Sequence, residues 1–490
     1  MNIIKIKWGD GLKINFAKTS DGQPISLLTE KLNQHGLICG ATGTGKTVTL
    51  KVLAENFSDL GIPVILSDVK GDLSNLYKPG TIDGIEDRVN KLGINMDFTG
   101  FPINLWDVYG EEGLPLRISI SEMGPILLSQ ILNLNETQSG VLNIAFRIAD
   151  SQSMLLLDLK DLKSIMRYLA ENRKDISLEY GNVSTQSISA IQRKILLLED
   201  LGGEIFFNEP SLVIRDLINN SENKGYINIL SSKKLVNNPT MYSIFLLWLL
   251  SELYEELPEV GNPEFPKLMF FFDEAHLLFN NGSKELIDKV LQVIKLIRSK
   301  GVGIFFVTQN PMDIPDEVSS QLGTKIIHQL RAFSPREIKT IREISSGLRH
   351  NENFDLETEI QNLQTGEAII TTLDEDGSPT EVKKGLIYPP RSSFEPLSLS
   401  EYENIMSNSK LSDKYSSIID RDSAYEILAR RVDEEIEVVK AEDLKKIEDK
   451  KSPKDNMLGK MFSSAIYSFS RQIGRDIARG VLGSFKKNFK

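Results

Sequence analysis

Cysteine is nearly missing from this sequence: among 490 residues there is one, Cys39. No disulfide framework can exist, and the fold must rest on packing. A basic surplus is missing too. The chain carries 57 Lys and Arg against 68 Asp and Glu, a formal net charge of −11, which excludes a protein coated in positive surface. A nucleic acid would have to be held in a local basic lining. Long apolar runs are also lacking. Stretches such as Ile244 to Leu250 are far too short to cross a bilayer. The opening Met1 to Lys7 alternates charged and apolar residues and lacks the apolar run of a secretory signal. The reading is therefore of a soluble, cytoplasmic chain with no integral membrane segment.

What is present centres on His35 to Leu50. A short apolar run, Gly36 to Cys39, leads into Gly40-Ala41-Thr42-Gly43-Thr44-Gly45-Lys46-Thr47, and a helical pattern follows. Strand, glycine loop and helix in this order make a phosphate loop. Its backbone N–H groups and the positive end of the helix face phosphate oxygens. Lys46 is placed to reach the β- and γ-phosphates, and the Thr47 hydroxyl to ligate Mg²⁺. Farther on, the apolar strand Leu268 to Phe272 ends in Asp273-Glu274. This is the pattern in which Asp273 holds the Mg²⁺ shell and Glu274 polarises the attacking water. A third buried strand, Gly303 to Thr308, ends in Gln309, positioned to sense the γ-phosphate or orient water. ATP and Mg²⁺ are the cofactors these residues call for. Asp68 and Asp72, after the strand Ile62 to Ser67, read equally well as site carboxylates or as loop caps. His276 completes the letters Asp-Glu-Ala-His, but the accompanying segments of that helicase superfamily are lacking, and the histidine reads as structural.

The division expected from these patterns is an N-terminal β-hairpin over 1–30, turning at Asp10-Gly11, and a nucleotide-binding core over 31–390. A mostly helical insertion over about 81–222 interrupts the core. A charged helical extension follows over 391–450, and a basic amphipathic tail over 451–490. The tail holds nine Lys and Arg against two acids, with Met457, Met461, Ala465, Phe469, Ile473, Ile477, Val481 and Phe485 at four-residue spacing. That spacing makes one apolar helix face, suited to packing on a partner, an anionic membrane or DNA.

The order of motifs resembles the HerA/FtsK class of ring-forming P-loop ATPases. Asp68-Val69-Lys70-Gly71-Asp72-Leu73, Ser121 to Pro125, Asn143 to Asp150, Phe271 to Leu278 and Arg331 to Arg336 are similar to the bacterial HerA-like family. The stretch before His35 is too short for the N-terminal β-barrel of HerA proper. The resemblance implies an α/β, RecA-like core with the Gln309 strand between the two catalytic strands, and a homo-oligomer, expected as a hexamer. It also implies that Arg298, at the end of the helix before that strand, completes a neighbouring subunit's site. Movement along or unwinding of double-stranded DNA follows from the resemblance alone. A motor for secretion or conjugation, or a nucleotide-gated scaffold for a partner nuclease or effector, are the alternatives.

Overall fold

The computed structural model describes residues 6–8, 11–221, 223–280, 284–350 and 355–449. Short runs rich in Ile, Val, Leu and Phe between Gly, Pro and Asp punctuation become strands. Among the described residues, thirteen of them join one sheet. They are β1 (Ile6–Trp8), β2 (Gly11–Thr19), β3 (Pro24–Leu28), β4 (Gly36–Cys39), β5 (Val64–Asp68), β6 (Ile103–Asp107) and β7 (Leu114–Pro115). Later in the chain come β8 (Ile227–Ser231), β9 (Leu268–Phe272), β10 (Val302–Thr308), β11 (Thr324–Ile327), β12 (Glu367–Thr371) and β13 (Lys383–Ile387). The spatial order is β1-β2-β13-β12-β11-β4-β10-β9-β5-β8-β6-β7, with β3 beside β2. From β11 to β7 all neighbours are parallel, and from β11 back to β1 they are antiparallel.

The central strands β4, β5, β9 and β10 are buried along their whole length, as befits a parallel sheet covered on both faces. On one face lies α1 (Lys46–Asp59), whose Phe57 ring sits 6.0 Å from Phe271 and 6.4 Å from Phe305. Alternate residues point the other way, so Phe272 stacks on Phe306 at 5.7 Å on the opposite face. The helix α3 (Pro239–Glu256) is apolar almost all round, and its residues from Met241 to Leu250 are buried. A helix of that pattern belongs inside the molecule. The sensor strand β10 lies between β4 and β9, as the RecA-like reading requires.

Two compact units emerge among the described residues, one of 6–135 with 196–419 and the other of 136–195 with 420–449. The first contains the sheet. Within the second, α2 (Leu159–Glu171) is capped by Asp158, which accepts from the N–H groups of Lys160 and Asp161, while Asp161 accepts from Tyr425 N–H at 2.8 Å at the head of α6 (Ala424–Asp449).

The expected boundaries shift in two places. The N-terminal hairpin is no separate element: β1 pairs with β2, and β2 joins the main sheet beside β13. The helical insertion is shorter than 81–222, because β6 within that span is a core strand paired with β8. Its sequence reads as irregular on account of Asn104, yet that side chain is buried and donates to Asn228 Oδ1 on the adjoining strand at 3.1 Å, as does Trp106 Nε1 at 3.0 Å. Of the strand expected over Ile3 to Lys7, residues 3–5 lie outside the described residues, as does the whole tail 451–490.

Candidate functional site

The carboxyl ends of β4, β10, β9 and β5 meet at one edge of the sheet, the place where open parallel folds bind ligands. The phosphate loop follows β4. Gly45 has φ +117, and a Cβ there would approach Gly366 Cα to 3.2 Å, so glycine is required. Thr44 Oγ1 donates to Ala41 O at 2.8 Å, while Ala41 N–H donates to Gln329 O at 2.8 Å after β11. The loop is thus pinned from inside and from the neighbouring strand. Lys46 is buried, and its Nζ donates to Gly40 O at 2.6 Å and Ala41 O at 3.0 Å. Burial lowers its pKa and the nearby Lys70 lowers it further, while Glu274 and Asp273 oppose both.

The acid pair follows β9. Glu274 stands in the left-handed region with φ 49, a conformation that stores on the order of 1–3 kcal/mol and recurs at working sites. Its N–H donates to Asp273 Oδ1 at 3.0 Å. Burial pushes the Asp273 carboxyl up to about 7, with Lys70 pulling it down and Glu274 pushing it up. Gln309, after β10, joins the two motifs. Its Nε2 donates to Glu274 Oε1 at 3.1 Å, and its Oε1 accepts from Thr42 Oγ1 at 3.0 Å. The turn beneath is braced by Thr308 Oγ1 and Asn310 Nδ2, both donating to Asp313.

Lys70, given no role from the sequence, and His276, read there as structural, complete the cluster. Lys70 Nζ lies 3.2 Å from Glu274 Oε1, and His276 Nδ1 lies 3.5 Å from Glu274 Oε2. Lys70 follows β5, and nothing in a single sequence reveals that β5 is next to β9. Asp68 acts as the cap of its own loop, accepting from Gly71 N–H at 2.6 Å and Leu73 N–H at 3.0 Å. Burial pushes its carboxyl up to about 6 against those bonds.

Arg298 is not brought to this cluster. Its exposed side chain belongs to the turn between α4 (Lys284–Ile297) and β10, at the amino end of the sheet. The expectation that its helix ends near the carboxyl edge is corrected here. A helix that feeds a parallel strand must run back to that strand's amino end. The length of β10, about 3.3 Å per residue, separates Arg298 from its own phosphate loop.

The donor set fits a nucleotide and a hard divalent ion. Thr42 and Gly43 form an exposed crest with open space above Gly43, Lys46 lies beneath it, and the Thr47 hydroxyl and Asp273 carboxylate are oxygen ligands of the kind Mg²⁺ accepts.

A parallel sheet with a phosphate loop on one central strand and an acid pair two strands away is the layout of the HerA/FtsK class of P-loop proteins. Residues 13–489 match the model of the family described as Helicase HerA-like C-terminal, and the chain belongs to that family. The DNA double-strand break repair helicase HerA of Sulfolobus acidocaldarius is 22% identical over 353 residues, 71% of this chain and 64% of the relative. That of Pyrococcus furiosus is 22% identical over 400 residues, 74% of this chain and 67% of the relative. The chain thus spans about two thirds of the length of these curated relatives. Among solved structures, the unbound bacterial conjugative coupling protein TrwB aligns with a TM-score of 0.53 at 15% identity, covering 77% of this chain and 90% of that one. The same protein in complex with ADP and Mg²⁺ aligns with a TM-score of 0.50 and the same coverage. These likenesses are of fold. No helix among the described residues is long and apolar enough to cross a membrane.

Proposed function

We propose that this chain hydrolyses ATP with Mg²⁺ and works as a ring-forming motor on double-stranded DNA. The observation that carries the hydrolytic half is the chain Thr42–Gln309–Glu274, which ties the phosphate loop, the sensor strand and the acid pair into one hydrogen-bonded cluster. In this reading Lys46 binds the β- and γ-phosphates, and Thr47 and Asp273 hold the metal ion. Mg²⁺ supplies charge neutralisation at the phosphate oxygens. Glu274 accepts the proton of the attacking water, and Gln309 fixes both the carboxylate and the water. Gly40 to Gly45 offer backbone N–H groups to the phosphates. Arg298, remote from its own loop, would serve a neighbouring subunit.

The DNA half is supported by the HerA relatives, named as DNA repair helicases. It is also supported by the exposed Arg331 and Arg336 before and at the start of α5 (Pro335–Ser346), beside Lys339 and Arg342, which pair with Glu343 and Glu357. ATP turnover with and without duplex DNA, together with particle mass from light scattering, tests the reading. Turnover stimulated by DNA in a hexamer is expected. A ring that hydrolyses ATP but ignores DNA would turn the reading toward a nucleotide-gated scaffold, and no turnover would end it.

A further inference from the structure

The Glu274 carboxylate is more heavily occupied than a general base should be. Its Oε1 accepts from Gln309 Nε2 at 3.1 Å and faces Lys70 Nζ at 3.2 Å, and its Oε2 faces His276. An ammonium paired to a carboxylate holds the lone pairs that would take a proton from water. Catalysis through Glu274 therefore needs Lys70 elsewhere.

The geometry shows where it can go. Glu274 is buried, its side chain 8% exposed, while the Lys70 side chain is 41% exposed and hangs on a flexible four-carbon stem. The backbone that carries it is fixed: Asp68 accepts from the N–H groups on either side of Asp72, and Gly71 has φ +77. The loop is thus held by the Asp68 carboxylate, while the ammonium keeps the freedom of its stem. Lys70 meets the Glu274 carboxylate that Gln309 ties to Thr42 at the loop crest, and its charge bears on that of Lys46 beneath the crest. A terminal phosphate drawn to Lys46 therefore enters the reach of Lys70 as well.

We propose that Lys70 is a triphosphate-sensing switch: it pairs with Glu274 until a terminal phosphate is bound, then moves onto that phosphate and releases the carboxylate. The inference rests on the ATPase reading above. It makes discrimination between ATP and ADP a property of Lys70, because only a nucleoside triphosphate presents the group that draws it off.

The test compares wild type, Lys70→Met and Lys70→Arg in the full chain, with ADP and a non-hydrolysable ATP analogue titrated by calorimetry in the presence of Mg²⁺. Lys70→Met should weaken analogue binding by roughly ten- to hundredfold, the loss of one charge-assisted contact, and leave ADP binding unchanged. Lys70→Arg, which keeps the charge, should retain most of the preference. Unchanged ADP affinity also shows that the site is folded. Should Lys70→Met not fold, Lys70→Gln gives the same comparison. An analogue-to-ADP ratio in the neutral variant equal to wild type overturns the switch while leaving the ATPase reading intact. A wild type that binds neither nucleotide overturns both.

Discussion

Lys46 and Glu274 stand on different strands and, in the proposed reading, act at different moments. Lys46 lies under the loop crest and meets phosphate in the ground state, so Lys46→Ala should lose most nucleotide affinity. Glu274 acts on the water at the chemical step. Glu274→Gln keeps the hydrogen-bond acceptor for Gln309 and removes the base. It should bind ATP at near wild-type affinity and turn over about 10²–10⁴-fold more slowly. Equilibrium binding beside single-turnover hydrolysis separates the two outcomes, and normal turnover in Glu274→Gln would remove it from the role of base. The left-handed backbone at Glu274 adds a reason for its fixed aim: the conformation holds the carboxylate between Gln309 and Lys70.

At the scale of elements, β4 is fastened by two histidines. His35, just before the strand, donates from Nε2 to Ile294 O at 3.0 Å and accepts at Nδ1 from Ile304 N–H at 3.1 Å. His328, just after β11, donates from Nδ1 to Glu367 O at 2.9 Å and accepts at Nε2 from the Thr49 hydroxyl at 2.8 Å. The partners fix both tautomers as neutral. Burial lowers each to about 4. Below the ordinary histidine value of 6.5 the unfolded chain takes up protons that the native rings refuse. The stability these rings contribute is therefore complete above about pH 6.5 and is lost as the pH falls toward 4. The loss is on the order of 3 kcal/mol per ring. Urea unfolding of His328→Gln and wild type at pH 7 and pH 4.5 checks this, since the variant should show the shallower loss. A loss of equal size in both would exclude His328 as a source.

Local runs were legible in the sequence where composition alone decides the outcome. Leu268 to Phe272 could only be a buried strand, and Gly40 to Thr47 could only be a phosphate loop. Adjacency was not legible. Nothing in one sequence says that Lys70 and Glu274 share an edge, and β6 was missed because Asn104 is satisfied by a strand far along the chain. For Arg298 the end of the sheet was misread by overlooking direction, since its helix returns to the amino end; the role expected of it, toward a neighbouring subunit, does not depend on that end.

The molecule as a whole bears on Arg298 in another way. Exposed at the amino edge, it is available only to something outside its own site. If that is the next subunit's phosphate, Arg298→Ala should bind ATP normally and hydrolyse about a thousandfold more slowly or worse. Mixed with Glu274→Gln subunits it should regain activity, because some interfaces then pair an intact Glu274 with an intact Arg298. Wild-type turnover by Arg298→Ala alone would end the idea, and so would no recovery in verified mixed rings.

The sheet order also dictates when the molecule can come into being. In the sheet Gly36 meets Phe305 on one side and Thr324 on the other, so β4 leaves the ribosome long before either neighbour exists. Its loop is then closed by Gln329 and by Gly366, whose N–H donates to Thr44 O at 2.9 Å. Pairings this distant in the chain form slowly and leave apolar strands uncovered while they wait. The loop is therefore translated well before the segments that give it its shape. A nascent chain released before Gly366 lacks the closing contact of the nucleotide cradle and presents β11 without its partner β12 to whatever chaperone meets it.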